Sequence, residues 1–180
     1  MGGTFRQLPG SQAEALQLIR HISERMGIRE TPAPPGQHTT MEIIAAHAVN
    51  PTMVSEFVNE ANFLTIPAGS TFIPILTYRV TARNVGILEG ITNAVSDILQ
   101  YDFVQWQIRV DGLAIPGYDI IGGPIGFFPD VVQRIFWPLF QGQVVTVLAN
   151  NIATIPAVDI AAKITGRVFP DVLPAWSMGS

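Results

Sequence analysis

The chain of 180 residues carries few side chains of the kinds that do catalytic or metal chemistry. Its three histidines are His21, His38 and His47, and none forms a spaced pair such as H-x-x-x-H with an acidic partner. Cysteine is absent, which removes thiol catalysis, cysteine-based zinc sites and disulfides. No nucleophile elbow, phosphate loop or dinucleotide fingerprint occurs. We therefore predict no catalytic residue, no metal site and no cofactor, and interpret the chain as a non-enzyme.

Three aspartates, Asp111, Asp119 and Asp130, are the acidic residues that could converge. If the loop between them folds over the strand ends, they could form a calcium site or a carboxylate pair. Their spacing matches no calcium-binding loop, however. Turn formation explains Asp111, and capping of the loop explains the other two.

The main candidate for a binding surface is the loop at residues 116–130, PGYDIIGGPIGFFPD, with four glycines and three prolines. Long irregular loops within a β domain are often binding surfaces. Tyr118, Phe127 and Phe128 would carry a carbohydrate-binding or interface role, since aromatic rings stack on sugars and fill interfaces. A further aromatic residue, Trp176, lies in the C-terminal tail.

The elements that must position this loop are strands, predicted from alternating apolar and polar residues. The predicted strands cover residues 71–83, 101–110, 113–115, 131–140, 143–150 and 158–168, with a short one near residue 62. Residues 41–49 are ambiguous between helix and strand, residues 52–60 could form helical turns, and residues 84–99 are interpreted as an excursion with a short helix near 92–99. Seven or eight short strands predict a mainly β fold, an antiparallel β-sandwich or jelly-roll-like domain with an N-terminal amphipathic helix and an extended arm.

The N-terminal helix is predicted from a capping box, Ser11 with Glu14, and from Gly27 as its end. The proline-rich residues 31–40 follow as a stiff linker. This region is either an anchoring arm or a segment that folds back along its own domain. As an arm, it would bind a partner through the apolar face of the helix, namely Leu18, Ile19, Ile22 and Met26.

We divide the chain into an N-terminal arm and linker (residues 1–60), a β-sandwich domain (61–170) and a C-terminal tail (171–180). Only 13% of the residues are charged, against about a quarter in typical soluble domains. Low charge favours a subunit of an assembly, although a large core with a neutral polar surface would give the same composition. Lys163 is the only lysine, and no basic stripe or apolar run of about 20 residues occurs, so we expect neither nucleic-acid nor membrane binding.

The β region resembles structural proteins of tailed-bacteriophage virions. The resemblance covers about residues 65 to 170 and rests on four motifs: TIPAG at 65–69, W-x-I-x-V-D-G-x-x-I-P-G at 106–117, GQVVTVLANN at 142–151, and ITGRVFP at 164–170. Similar β-sandwiches occur among head decoration or cement proteins, vertex proteins, and neck or fibre-attachment proteins. The family has no catalytic residues to carry over.

This resemblance implies a virion component made in the host cytoplasm. It also implies self-association as a trimer or other ring, and contact with the major capsid protein or with portal or tail proteins. The alternative is a carbohydrate- or receptor-binding module that acts through the loop at residues 116–130.

Overall fold

The computed structural model describes residues 9–49, 55–126, 128–152 and 157–172. The elements are helices α1 (Gln12–Arg25) and α2 (Thr40–Val49), a 3₁₀ helix (Ile98–Phe103), and strands β1 (Ser55–Ile66), β2 (Ile73–Arg79), β3 (Asn84–Val95), β4 (Val104–Val110), β5 (Leu113–Ala114), β6 (Ile121–Gly122), β7 (Gln133–Leu139), β8 (Val144–Asn151) and β9 (Val158–Pro170).

Two antiparallel sheets enclose one hydrophobic core, which confirms the predicted mainly β class. Sheet A has the strand order β1-β9-β3-β7, and sheet B has the order β2-β8-β4-β5, with β6 also paired to β4. The long strands β1, β2, β3 and β4 therefore alternate between the sheets along the chain, as do β7, β8 and β9. This arrangement is that of a β-sandwich.

Strand β9 is the central element of sheet A because it pairs with β1 on one side and with β3 on the other. The alternation in residues 158–168 predicts one apolar face, of which Val158, Ile160, Ala162 and Ile164 are buried whereas Val168 is only half-buried. The predicted tight turn at Asp111-Gly112 is confirmed. Both residues have positive φ angles, 49° and 81°, and they join β4 to β5 as a short hairpin.

The prediction for residues 84–99 is wrong, because β3 occupies most of this segment as an inner strand of sheet A. Its two glycines mark close packing rather than a loop. A Cβ atom on Gly86 would lie 2.6 Å from the carbonyl oxygen of Arg167 on β9, and one on Gly90 would collide with Thr165. The helical turns predicted for residues 52–60 are also wrong from Ser55 onward, where β1 pairs with β9.

The two helices form a hairpin that covers sheet A near the start of β3 and the end of β7. Ser11 caps α1, since its hydroxyl accepts a hydrogen bond from the backbone N–H of Glu14 at 3.2 Å. The Glu14 side chain accepts a hydrogen bond from Gly10 N at 2.9 Å instead of from Ser11 N, so the predicted capping box is only half formed. A reciprocal capping box begins α2, in which Thr39 and Glu42 each bind the other's backbone N–H. The linker therefore returns α2 against α1. The domain boundary predicted at residue 60 falls inside β1.

Candidate functional site

An apolar groove of about 510 Å³ lies at the end of sheet A where β3 stops. One wall is the end of β3, a second is the 3₁₀ helix, and the third is the loop that leads to β7. The main lining residues are Ala94, Val95, Ile98, Tyr101, Pro124 and Phe128. Its volume lies within the range of about 300–1,000 Å³ that is typical of ligand pockets.

The loop wall is held in place by two polar side chains on β3. The Asn93 side chain accepts a hydrogen bond from Ile125 N at 2.6 Å and donates one to Gly123 O at 3.2 Å. The Thr92 hydroxyl donates to Ile125 O at 2.8 Å. Both side chains are buried, so these bonds satisfy polar groups that would otherwise be costly inside the protein. They fix residues 123–126 as a rigid extension of the sheet.

The 3₁₀ helix forms the most exposed wall of the groove. Its first turn is capped by Asp97, whose carboxylate accepts a hydrogen bond from Leu99 N at 3.0 Å. Ser96 N donates to Asp159 O at 2.8 Å, which ties this segment to the start of β9. The capped turn presents Ile98 and Leu99 outward, and each of these side chains is 78% exposed. Two adjacent aliphatic residues at this exposure make the groove continuous with an apolar surface.

Phe128 is the one aromatic residue of the predicted loop set that the structure places in the groove. Its ring packs edge-on against Phe63 of β1, with ring centroids 6.1 Å apart. The next residue, Pro129, accepts a hydrogen bond from the Lys163 ammonium group at 3.0 Å. Phe127 and Trp176 lie outside the described residues.

Tyr118 does not face a ligand, which corrects the prediction for this residue. Its side chain is only 5% exposed, and its hydroxyl is 3.1 Å from the Gln133 side-chain nitrogen, which donates to it. Its backbone carbonyl accepts from Ile108 N on β4, so this half of the loop lies along sheet B. The Tyr118 ring fills the core because this part of the loop pairs with sheet B and does not project into solvent. Trp106 and Trp137 are buried as well, so neither offers a sugar-stacking face.

The helix face predicted to bind a partner is filled from within the chain. Ile19 and Ile22 are fully buried in the core, and Leu18 and Met26 are half-buried and packed against it. The reason is that the linker returns α2 onto α1, so the apolar stripe of one helix covers that of the other. In this arrangement Ile19 and Ile22 are not available to a partner protein.

Three exposed carboxylates, those of Asp97, Asp102 and Asp130, lie within two residues of groove-lining residues along the chain, and we call them the rim. Lys163, which binds the carbonyl oxygen of Pro129 next to the lining residue Phe128, is also engaged by Glu60, with Nζ 3.7 Å from a carboxylate oxygen. An apolar floor with an acidic rim favours an uncharged or basic occupant over an anionic one.

A polar cluster lies at the opposite end of sheet A, where β9 meets α2. Arg167 donates from Nε to a Glu89 carboxylate oxygen at 2.8 Å, and its terminal nitrogens reach the carbonyl oxygens of His47 and Ala48 at 3.4 Å. The arginine thus binds the last carbonyls of α2, which a helix leaves unpaired. The His47 ring stacks on Phe169 with centroids 4.3 Å apart. We call His47, Glu89, Arg167 and Phe169 the Arg167 cluster.

The buried His47 of this cluster and the half-buried Asp171 beside it have shifted pKa values in opposite directions. Burial lowers the pKa of His47, and the positive charge of Arg167 lowers it further, against the opposing effect of the hydrogen bond from Nε2 to Val172 O at 3.0 Å. Burial raises the pKa of Asp171, against a side-chain hydrogen bond with Thr40. Both shifts favour the neutral form of the group, as desolvation does.

The other predicted chemical residues do not gather into a site. Asp111 accepts a hydrogen bond from Val144 N at 2.8 Å, while His21, Asp119 and Asp130 are exposed. In the parts of the chain that the structure describes, no three histidine, aspartate or glutamate side chains come together in a way that could hold a metal ion. Within the same ranges, neither helix combines the length and apolarity that a bilayer span needs.

Comparison with known proteins assigns no family. No protein-family model matches the chain, and no curated protein matches it.

Sequence reasoning missed the residues that build the groove. Asn93, Ile98 and the adjacent Leu99 lie in the segment that the sequence pattern predicts to be an excursion with a short helix. One signal was available in Asp97-Ile98-Leu99. An aspartate often caps a turn, and a turn this short cannot bury two adjacent aliphatic side chains, so the pattern predicts a capped turn with exposed apolar residues.

Proposed function

We propose that this chain is a non-enzymatic structural subunit of a tailed-phage virion that assembles through the groove. A decoration or cement protein of the head is the favoured type, ahead of a vertex or neck component. The observation that carries the proposal is the exposed apolar surface formed by the groove residue Ile98 and its neighbour Leu99, each 78% exposed on a turn that is capped and tied to β9. A rigid apolar patch of this kind is typical of surfaces that bind another protein.

The strand connectivity supports this proposal. We infer that the sandwich is of the jelly-roll type, because sheets β1-β9-β3-β7 and β2-β8-β4-β5 are filled by strands that mostly alternate between them along the chain. Jelly rolls are common in viral capsid proteins, although lectins and cupins use them too. A fold alone does not determine a function. The groove, and not the topology, is therefore what favours an assembly role over a lectin-like one.

The partners that we propose are further copies of this chain and other virion proteins. The groove takes over the docking role that the sequence suggested for the N-terminal arm, because Ile19 and Ile22 are buried within the chain. The carbohydrate-binding alternative has no comparable support, since Tyr118 is buried in the core.

Two experiments test the proposal. Quantitative mass spectrometry of virions purified from an infected host should find this chain in many copies per particle. In solution, Ile98→Asp should weaken binding to particles that lack the protein, because it places a charge in the apolar wall. Ile120→Asp is the matched control, since Ile120 is 62% exposed but is not a groove residue. Equal binding by both variants, or absence of the chain from virions, would contradict the proposal.

A further inference from the structure

We propose that the groove is occupied in trans by residues 173–178 of a neighbouring copy of this chain, with Trp176 as the anchor. The inference rests on the proposed function, because it names the partner of the same groove. It predicts head-to-tail association, in which each copy offers one tail and one groove.

The groove favours an apolar occupant that is not an anion. Its floor and walls are formed by residues such as Ile98, Tyr101 and Phe128, and the exposed carboxylates of Asp97 and Asp102, which adjoin Ile98 and Tyr101 in the chain, disfavour a negative charge. Large rigid aromatic side chains are the usual anchors of protein interfaces, and tryptophan is the most enriched among them.

The residues after β9 have the matching composition. Residues 172–180 contain no charged side chain and include Leu173, Pro174, Trp176 and Met178. Trp106 and Trp137 are both buried between the strands, and Trp176 is the remaining tryptophan of the sequence and lies outside the described residues.

The covalent geometry excludes the groove of the same molecule. Val172 lies at the far end of sheet A, where its carbonyl oxygen is 3.0 Å from the His47 ring. In the β3–β9 pairing, Pro170 lies opposite Asn84 and Ile160 lies opposite Val95, so the ladder between them is about 33 Å long at ~3.3 Å per residue. The chain from Val172 to Trp176 extends at most about 14 Å. Trp176 therefore reaches a groove only on another copy.

Such a contact joins two different surfaces of the same protein. Contacts of this kind close into rings when the rotation between copies allows it, and otherwise extend as filaments. Because tail and groove lie at opposite ends of sheet A, each added copy presents a free groove or a free tail for the next.

The test uses two full-length variants, Trp176→Ala and Ile98→Asp, and sedimentation velocity over a range of concentrations. Each variant alone should self-associate at least about 30-fold more weakly than the wild type, the loss expected for an interface hot spot. Mixed together, the two variants should form one-to-one dimers and nothing larger, because the intact groove of one and the intact tail of the other allow a single junction. Circular dichroism and an Ile120→Asp control, again outside the groove, check that folding is unchanged.

The outcomes separate this inference from the proposed function. If Ile98→Asp dissociates the assembly and Trp176→Ala does not, the groove binds some other occupant and the tail inference is overturned while the assembly role stands. If the mixed variants form no dimers, head-to-tail pairing is overturned. Wild-type protein that stays monomeric at millimolar concentration overturns it as well.

Discussion

The two ends of sheet A are both apolar, but only one of them is covered. Where β9 ends, α1 and α2 lie on the sheet, and Ile22 and Ile44 are completely buried there. Where β3 ends, Ile98 and Leu99 face outward, and nothing in the described part of the chain lies over them. The described part of the chain thus covers one end of the sheet and leaves the other exposed.

The polar side chains also have different partners at the two ends of sheet A. At the covered end, Arg167 joins Glu89 on the sheet to the last carbonyls of α2, so the polar groups attach the cover. At the open end, Asn93 binds the backbone of its neighbouring loop and leaves the apolar surface free. The difference indicates that residues at the covered end contribute to the stability of the fold, and the association that we propose would depend on the open end.

The largest effect should come from Ile22→Ala at the covered end. Ile22 is fully buried in the core, so its truncation leaves a cavity between α1 and its neighbours. We expect the free energy of unfolding to fall by about 2–5 kcal/mol, as for other large-to-small changes in a core. Urea unfolding followed by circular dichroism measures it. Self-association of the folded protein should be unchanged.

Leu18→Ala is the control on the same helix, and it should cost less because Leu18 is only half-buried. An Ile22→Ala cost below about 1 kcal/mol would mean that α1 does not pack on the sandwich in solution. Both ends of sheet A would then be uncovered, and the result would support the alternative prediction that this helix is a free arm.

A smaller effect is expected for Asn93→Ala at the open end. The change removes two hydrogen bonds to the loop and leaves the buried Ile125 N–H without its acceptor, at a cost of about 1–3 kcal/mol. Because these bonds hold the groove wall, amide hydrogen exchange at Ile125 and Gly126 should accelerate. Thr92→Val is the graded control, since Ile125 O keeps its bond from Asn93 N when the threonine hydroxyl is lost. Unchanged exchange in Asn93→Ala would show that the loop is held by other contacts.

Much of the fold could be predicted from local sequence. The alternation in residues 158–168 and the Asp111-Gly112 turn depend on period and backbone preference, which a sequence displays directly. Strand β3 could not be predicted this way. Glycine has a low β-propensity, so Gly86 and Gly90 argue against a strand when only the sequence is considered. The structure needs glycine at these positions because β9 comes too close for a side chain.

The site was predictable only in part, for a related reason. The loop at residues 116–130 does form one wall of the groove through Phe128, but composition cannot tell that Tyr118 points into the core and Phe128 does not. That choice depends on the pairing of the loop with β4, in which Ile108 N binds Tyr118 O and Trp106 lies opposite Ile121, and composition does not display this pairing. The apolar face of α1 was visible in the sequence, whereas its cover, α2, was ambiguous between helix and strand.

The smallest effect concerns pH and tests whether the Arg167 cluster secures the covered end. Burial first, and then the charge of Arg167, lower the folded-state pKa of His47 below its usual 6.5. Its Nδ1 atom is buried and has no hydrogen-bond partner among the described residues, so a proton there would be a buried and unpaired charge. Below pH 6.5 the unfolded chain binds this proton more readily than the folded one, so stability falls as pH drops from about 6.5 towards the folded pKa.

The measurement is urea unfolding between pH 7 and pH 5, with the slope limited to about 1.4 kcal/mol per pH unit for a single group. Asp171, also beside α2, has the opposite sign, because its pKa is raised above 3.8 by burial. Protonating it therefore favours the folded state, and this gain begins as pH falls towards the raised pKa of Asp171. His47→Gln should flatten the slope, while His21→Gln removes a histidine from the exposed side of α1 without touching this end of the sheet. If the unfolding free energy of His47→Gln depends on pH as strongly as that of the wild type, another group causes the acid sensitivity. Arg167 would then hold α2 without any contribution from His47.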